Sequence, residues 1–142
     1  MTVAGCGGTE PLSAEQIRAD PAAAAADLYL LAGVTGDLPS ACELTTREER
    51  IEQGGNGTIA TCVQQGQALD PEVRSATQEI FGAAAITRVE RIDERTRIVQ
   101  FAIDPEQVSE FAGQDLEEKL GEFTMVLSGG AWRLDEYKIV AS

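Results

Sequence analysis

The hydrophobic period of the chain changes near residue 82. Before it, apolar residues recur at three- and four-residue spacings, the period of amphipathic helices; after it they alternate, as in strands with one buried face. A long helix is expected over Pro21–Gly33, with an apolar stripe of Leu28, Leu31 and Ala24 or Ala32. Shorter helices follow over Ser40–Leu44, from the capping-box run Thr46-Arg47-Glu48-Glu49 to about Gln53, over Thr58–Leu69 and over Pro71–Phe81. The fourth puts Ile59, Cys62 and Val63 on one side, and the fifth puts Val73, Ala76 or Thr77, and Ile80 on one face. The pairs Asp20-Pro21, Asp70-Pro71 and Asp104-Pro105 each set a capping Asp before a Pro suited to the first helical position. Val34-Thr35-Gly36-Asp37 reads as a turn, while Gly54-Gly55-Asn56-Gly57 and Gly82 end helices.

In the second half, Val99, Phe101 and Ile103 alternate with polar or small residues, as do Phe123, Met125 and Leu127. Ser128-Gly129-Gly130 turns the latter strand into Ala131–Val140 as a hairpin. Trp132 and Leu134 share one phase, Tyr137 and Ile139 the other, so a bulge near Asp135-Glu136 is expected to restore the register. A less regular strand over Ala85–Ile92 turns at Asp93-Glu94-Arg95. The fold class is therefore α+β, N-terminal helices on a four-stranded antiparallel sheet.

Charge narrows the function classes. The 142 residues carry 24 acids and 11 bases, a net charge of −13, and no histidine. The excess is spread, −7 over residues 1–70 and −6 over 71–142, and so reads as a solvated exterior. Histidine-based triads, general bases and metal sites are excluded, and nucleic-acid binding, which needs a basic face, is not expected. Nine of the bases are Arg and 20 residues are Ala, a bias that resembles proteins of high-GC bacteria such as actinobacteria.

The three cysteines separate into two roles. Cys42 and Cys62 stand twenty residues apart at helical positions with a Gly-rich turn between them, within reach of a disulfide; two buried free thiols are the alternative. The run Val3-Ala4-Gly5-Cys6-Gly7-Gly8 resembles a bacterial lipobox. That resemblance implies cleavage before Cys6, diacylglycerol on its sulfur, a membrane-anchored extracytoplasmic protein, and a basic and apolar leader upstream of Met1. Residues 1–19 are then lipobox remnant and flexible tether, and 20–142 one domain.

The order of lipobox, Ala41-Cys42-Glu43-Leu44-Thr45-Thr46, Cys62 on the next helix and the hairpin Phe123–Leu134 resembles small actinobacterial lipoproteins of the nuclear transport factor 2-like, cystatin-like group. The resemblance implies helices packed in the concave face of a curved, cone-like sheet; because this fold hosts enzymes and binding modules alike, it implies no activity. Enzymes of the group, such as ketosteroid isomerases, use pocket Asp, His and Tyr. The candidates here are Tyr29, Asp104, Asp135, Glu136 and Tyr137, none in a spacing that demands chemistry. Asp104 reads as a helix cap, and the acids of 104–122 as the outer face of a helix that turns Val108 and Phe111 inward, not as a calcium loop. No catalytic residue, metal or cofactor is assigned. The expectation is a non-catalytic envelope binding or interaction module whose partner is a small apolar ligand or an envelope protein; the alternatives are a carrier of a small apolar ligand in a cone lined by Tyr29, Phe101, Met125, Trp132 and Tyr137, and an isomerase- or cyclase-like enzyme.

Overall fold

A computed structural model describes residues 10–104 and 120–140. In chain order they form β1 (Glu10–Pro11), α1 (Ala14–Ala19), α2 (Pro21–Thr35), α3 (Leu38–Glu43), α4 (Arg47–Glu52), α5 (Ile59–Gln67), α6 (Pro71–Gly82), β2 (Ala84–Asp93), β3 (Thr96–Ile103), β4 (Leu120–Ser128) and β5 (Ala131–Val140). Strands β2 to β5 pair antiparallel in sequence order, and β1 extends the β2 edge by two residues. The α+β reading therefore stands, with six helices in place of five. Ordered structure also starts earlier than residue 20. Leu12 and Ile17 pack against the core, and Ser13 and Gln16 form a reciprocal capping box at α1. Cys6, Pro105, Val108 and Phe111 lie outside the described residues.

Local chemistry accounts for most helix starts. Asp20 and Asp70 cap α2 and α6 as their Asp-Pro pairs predict. Thr46 caps α4 by accepting from Glu49 N–H, but the reciprocal half of its box is absent. The Thr46 N–H donates instead to Leu134 O at 2.8 Å, and the Glu49 carboxylate accepts from Gln53.

The sheet's irregularities fall where the alternation breaks. Register shifts leave Thr87 and Ile92 unpaired on β2. On β5, Glu136 faces Thr124 while Leu134 faces Met125, so Asp135 is the bulged residue. The bulge keeps Leu134 and the Tyr137 ring on the core side. It also aims Asp135 outward, where its carboxylate accepts from the Thr46 hydroxyl at 2.9 Å. Gly129 and Gly130, at φ 63° and 84°, form the two-residue hairpin turn that needs positive φ at both positions.

The stripe expected on α2 is corrected. Leu28 and Leu31 are 55% and 56% exposed; the buried face is Ala22, Ala23, Ala25, Ala26, Leu30 and Ala32. Alanine wins this face because α2 crosses β2, β3, β4 and β5, and short side chains let a helix lie close to a sheet. Five rings then fill the space beside it. Tyr29, Phe81, Phe101, Phe123 and Tyr137 contact one another at centroid distances of 4.7–6.4 Å.

One buried ion pair joins helix to sheet. The Asp20 carboxylate accepts from Ala23 N–H at 3.0 Å and from Arg97 Nε at 3.3 Å. The Arg97 guanidinium also donates to the carbonyls of Asp93 and Thr96 and lies 4.9 Å from the ring centroid of Trp132. Removing one partner of such a pair strands a charge in a desolvated site. Asp20→Ala, which also removes the α2 cap, is expected to lower the unfolding free energy by about 3–5 kcal/mol. Urea unfolding measures it; a loss below about 1 kcal/mol would show that the pair does not anchor α2.

Candidate functional site

Helices α2, α3, α5 and α6 form two pairs that are joined where α2 meets α3. α6 packs on α2 and α5 on α3, while α5 and α6 make little contact with each other. Each pair has a local cause. Gly33 of α2 admits the Phe81 ring of α6 so closely that a Cβ there would lie 1.8 Å from a ring carbon. On the other side, Cys42 of α3 and Cys62 of α5 are joined by a disulfide (Sγ–Sγ 2.05 Å, Cα–Cα 6.0 Å). A loop of that length is worth about 3 kcal/mol by the chain-entropy argument. Arg50 closes the same corner, donating to the carbonyls of Gly57, Cys42 and Thr45. Neither α5 nor α6 buries a residue completely, though Ile80 and Phe81 of α6 pack partly buried against the core.

Between the pairs lies a cleft of about 530 Å³. Its apolar wall includes Ala32, Leu38, Ala41, Leu69, Phe81 and the disulfide; the amides of Gln53, Gln65 and Gln78 and the Arg74 guanidinium supply polarity. Thr35, Thr45 and Thr77 also line it, but their hydroxyls donate to carbonyls one turn back, those of Leu31, Ala41 and Val73, at 2.8–3.0 Å. They present mainly methyl groups and oxygen lone pairs. A concave, largely apolar cleft of this size with a few polar groups suits a small ligand.

The residues expected in a sheet-side pocket do not come together around a space. Phe101 and Met125 are fully buried core, Tyr137 belongs to the ring cluster, and half-buried Trp132 stacks with Arg97. Of that set, Tyr29 alone lines the cleft. Its phenol is pushed up to about 12 by burial first, then by Tyr137 and Glu49, so it stays protonated at neutral pH. Tyr137 is likewise raised by burial. Asp104, an exposed residue, donates its N–H to Ala83 O at the end of β3.

Asp135 and Glu136 fall in a separate shallow hollow with Glu48, Glu49 and Glu52. There the Glu49 carboxyl is raised from its ordinary value by burial and by repulsion from Asp135, Glu52 and Glu136, against a lowering hydrogen bond from Gln53. No group of three or more Cys, Asp or Glu side chains among the described residues is placed to hold a metal ion.

No family model, curated protein or solved structure matches the chain. The cleft is therefore read from its own residues. Gln53, Gln65, Arg74 and Gln78 were not picked out by hydrophobic periodicity, because each is polar, whereas Thr77 fell on the apolar face as an alternative to Ala76. The available signal was Gly33 and Gly66, two glycines inside helices, which mark close approach of another element.

The acidic hollow yields a pH prediction. Because the Glu49 pKa is raised on folding, its stabilising contribution is present below the ordinary value of 4.5 and is lost as pH rises through the folded value. Glu49→Gln is expected to raise the melting temperature at pH 7, through a gain on the order of 0.5 kcal/mol. That gain should vanish below pH 4.5, where wild-type Glu49 is itself protonated. Paired melts of the two proteins across pH check it, and a gain independent of pH would refute it.

Proposed function

We propose that the protein is a lipid-tethered, extracytoplasmic binding module that holds a small apolar-bodied molecule in the interhelical cleft and catalyses no reaction. The observation that carries the reading is the cleft itself: about 530 Å³ open between helix pairs, in a protein whose sheet-side interior is filled by five aromatic rings. The absence of reaction is argued from the residues that meet there. Among the described residues the cleft wall has no carboxylate, the chain has no histidine, and the Tyr29 phenol in the lining is held protonated, so the described lining offers no general base.

The envelope location rests on cysteine chemistry. A Cys42–Cys62 disulfide is at home in an oxidising compartment and rare in the cytosol. Cys6 within Val3-Ala4-Gly5-Cys6-Gly7-Gly8 supplies the acylation site, and the glycines after it a loose tether. No helix among the described residues is long and apolar enough to cross a membrane, so the proposed attachment is the acylated Cys6. The same proposal places the fold in the nuclear transport factor 2-like group, supported by the succession of helices and antiparallel strands and by α2 lying across the sheet.

Two measurements test these readings. Nile red, a neutral apolar fluorophore, is expected to bind with micromolar affinity, and Thr77→Trp, which fills the cleft from α6, should weaken binding at least about tenfold while the melting temperature holds. Binding unchanged by the filling substitution, or no binding by wild type, would overturn the cleft as the site. When the protein is expressed in an actinobacterial host with its upstream reading frame, mass analysis of the membrane fraction should find diacylglycerol on a mature N-terminal Cys6. An unmodified thiol there would refute the anchor.

A further inference from the structure

The lining of the cleft differs in charge from the rest of the molecule. The chain carries 24 acidic residues, yet among the described residues none lines the cleft, and the one charged lining residue is Arg74. Arg74 stands in the second turn of α6, and among the described residues its guanidinium makes one hydrogen bond, to Gln67 O at 3.3 Å. A guanidinium has five N–H donors in a planar fork that matches a carboxylate, so most of that capacity faces outward from the helix. The threonine hydroxyls are already donating within their own helices, which leaves Arg74, the glutamine amides and the Tyr29 hydroxyl as the side-chain donors the cleft offers an occupant. The apolar part of the lining includes Ala32, Leu38, Ala41 and the disulfide.

We infer that the cleft selects an amphipathic monoanion, an aliphatic carboxylate whose chain lies on the apolar wall and whose headgroup meets Arg74. This inference rests on the cleft being the binding site and adds the class of ligand. Each neighbouring class is disfavoured by a particular feature. A cation finds no carboxylate in the lining and meets a guanidinium. A sugar finds a largely apolar wall and few donors for its hydroxyls. A neutral hydrocarbon leaves Arg74 and three amides without purpose. The net charge of −13 does not override the local attraction, because exposed charges farther than about 8 Å are screened at physiological ionic strength.

The test compares decanoate with decanamide, which share a chain and differ in charge, by isothermal titration calorimetry on the full chain. Wild type is expected to bind decanoate about tenfold more tightly than decanamide. Arg74→Gln should abolish the preference for decanoate over decanamide, costing decanoate more than it costs the amide, and Arg74→Lys, which keeps the charge but loses the fork, should fall between. Arg74 is exposed, so unchanged melting temperatures are expected to show that both variants fold. Equal affinity of wild type for the two probes, or a decanoate preference that survives Arg74→Gln, would overturn the ligand class. Nile red binding that Thr77→Trp weakens would in that case leave the cleft itself standing. Failure of all three probes to bind wild type would overturn both.

Discussion

The ion pair of Asp20 and Arg97 is the constraint on which the arrangement of helices over the sheet depends. Two charges at 8% and 9% exposure have lost most of their hydration, and their mutual attraction alone does not repay that loss. What makes the site viable is that nearly every surrounding contact is also satisfied. Asp20 accepts from the first turn of α2, and Arg97 donates to the carbonyls of Asp93 and Thr96 and stacks on Trp132. The pair thereby ties the start of the longest helix to the β2–β3 turn and to β5 in one place. A helix shifted by one turn would leave both charges buried and unmatched, so the cost of desolvation becomes a source of positional specificity.

Once the start of α2 is fixed, its alanines decide the rest. With Ala22, Ala23, Ala25 and Ala26 against the sheet, the helix approaches closely and contributes little side-chain volume. The volume comes from Tyr29 of α2 itself and from rings on the neighbouring elements, which pack together in the sheet-side interior. Helices α6 and α5 attach chiefly to α2 and α3, through Phe81 against Gly33 and through the Cys42–Cys62 disulfide. Two separate attachments leave a gap between α5 and α6. The cleft is thus a consequence of a helix that packs tightly and of two helices that do not.

Much of this was legible in the sequence because it is governed by local chemistry. Asp20-Pro21 and Asp70-Pro71 start helices as they should, Gly129-Gly130 turns the hairpin, and the phase change between Leu134 and Tyr137 located the bulge at Asp135. The misreadings share one physical origin. Leu28 and Leu31 are more hydrophobic than the alanines beside them, so periodicity assigns them to the core; which face is buried depends on how closely the helix approaches the sheet, which no local pattern records. The capping box at Thr46 failed halfway for a similar reason, since the Thr46 N–H finds a partner 88 residues away at Leu134 and Glu49 is released to the acidic hollow. The cleft residues were illegible because polar flanks of helices look alike whether they face solvent or a cavity.

The nine arginines against two lysines take on a structural meaning that composition could not give them. Arg50, Arg74, Arg95, Arg97 and Arg133 each donate to backbone carbonyls, at the disulfide corner, at the start of α6, at the β2–β3 turn and at the junction of α3 with β5. A loop whose carbonyls point inward needs a donor that can serve two acceptors in fixed directions, and the guanidinium fork does this where an ammonium on a flexible stem would not. Several cations are thus held in carbonyl-lined places, while most acids remain on the outside. The negative exterior is therefore partly a product of how the loops are pinned, and Arg74 stands out within it as the charged residue among the described lining of the cleft.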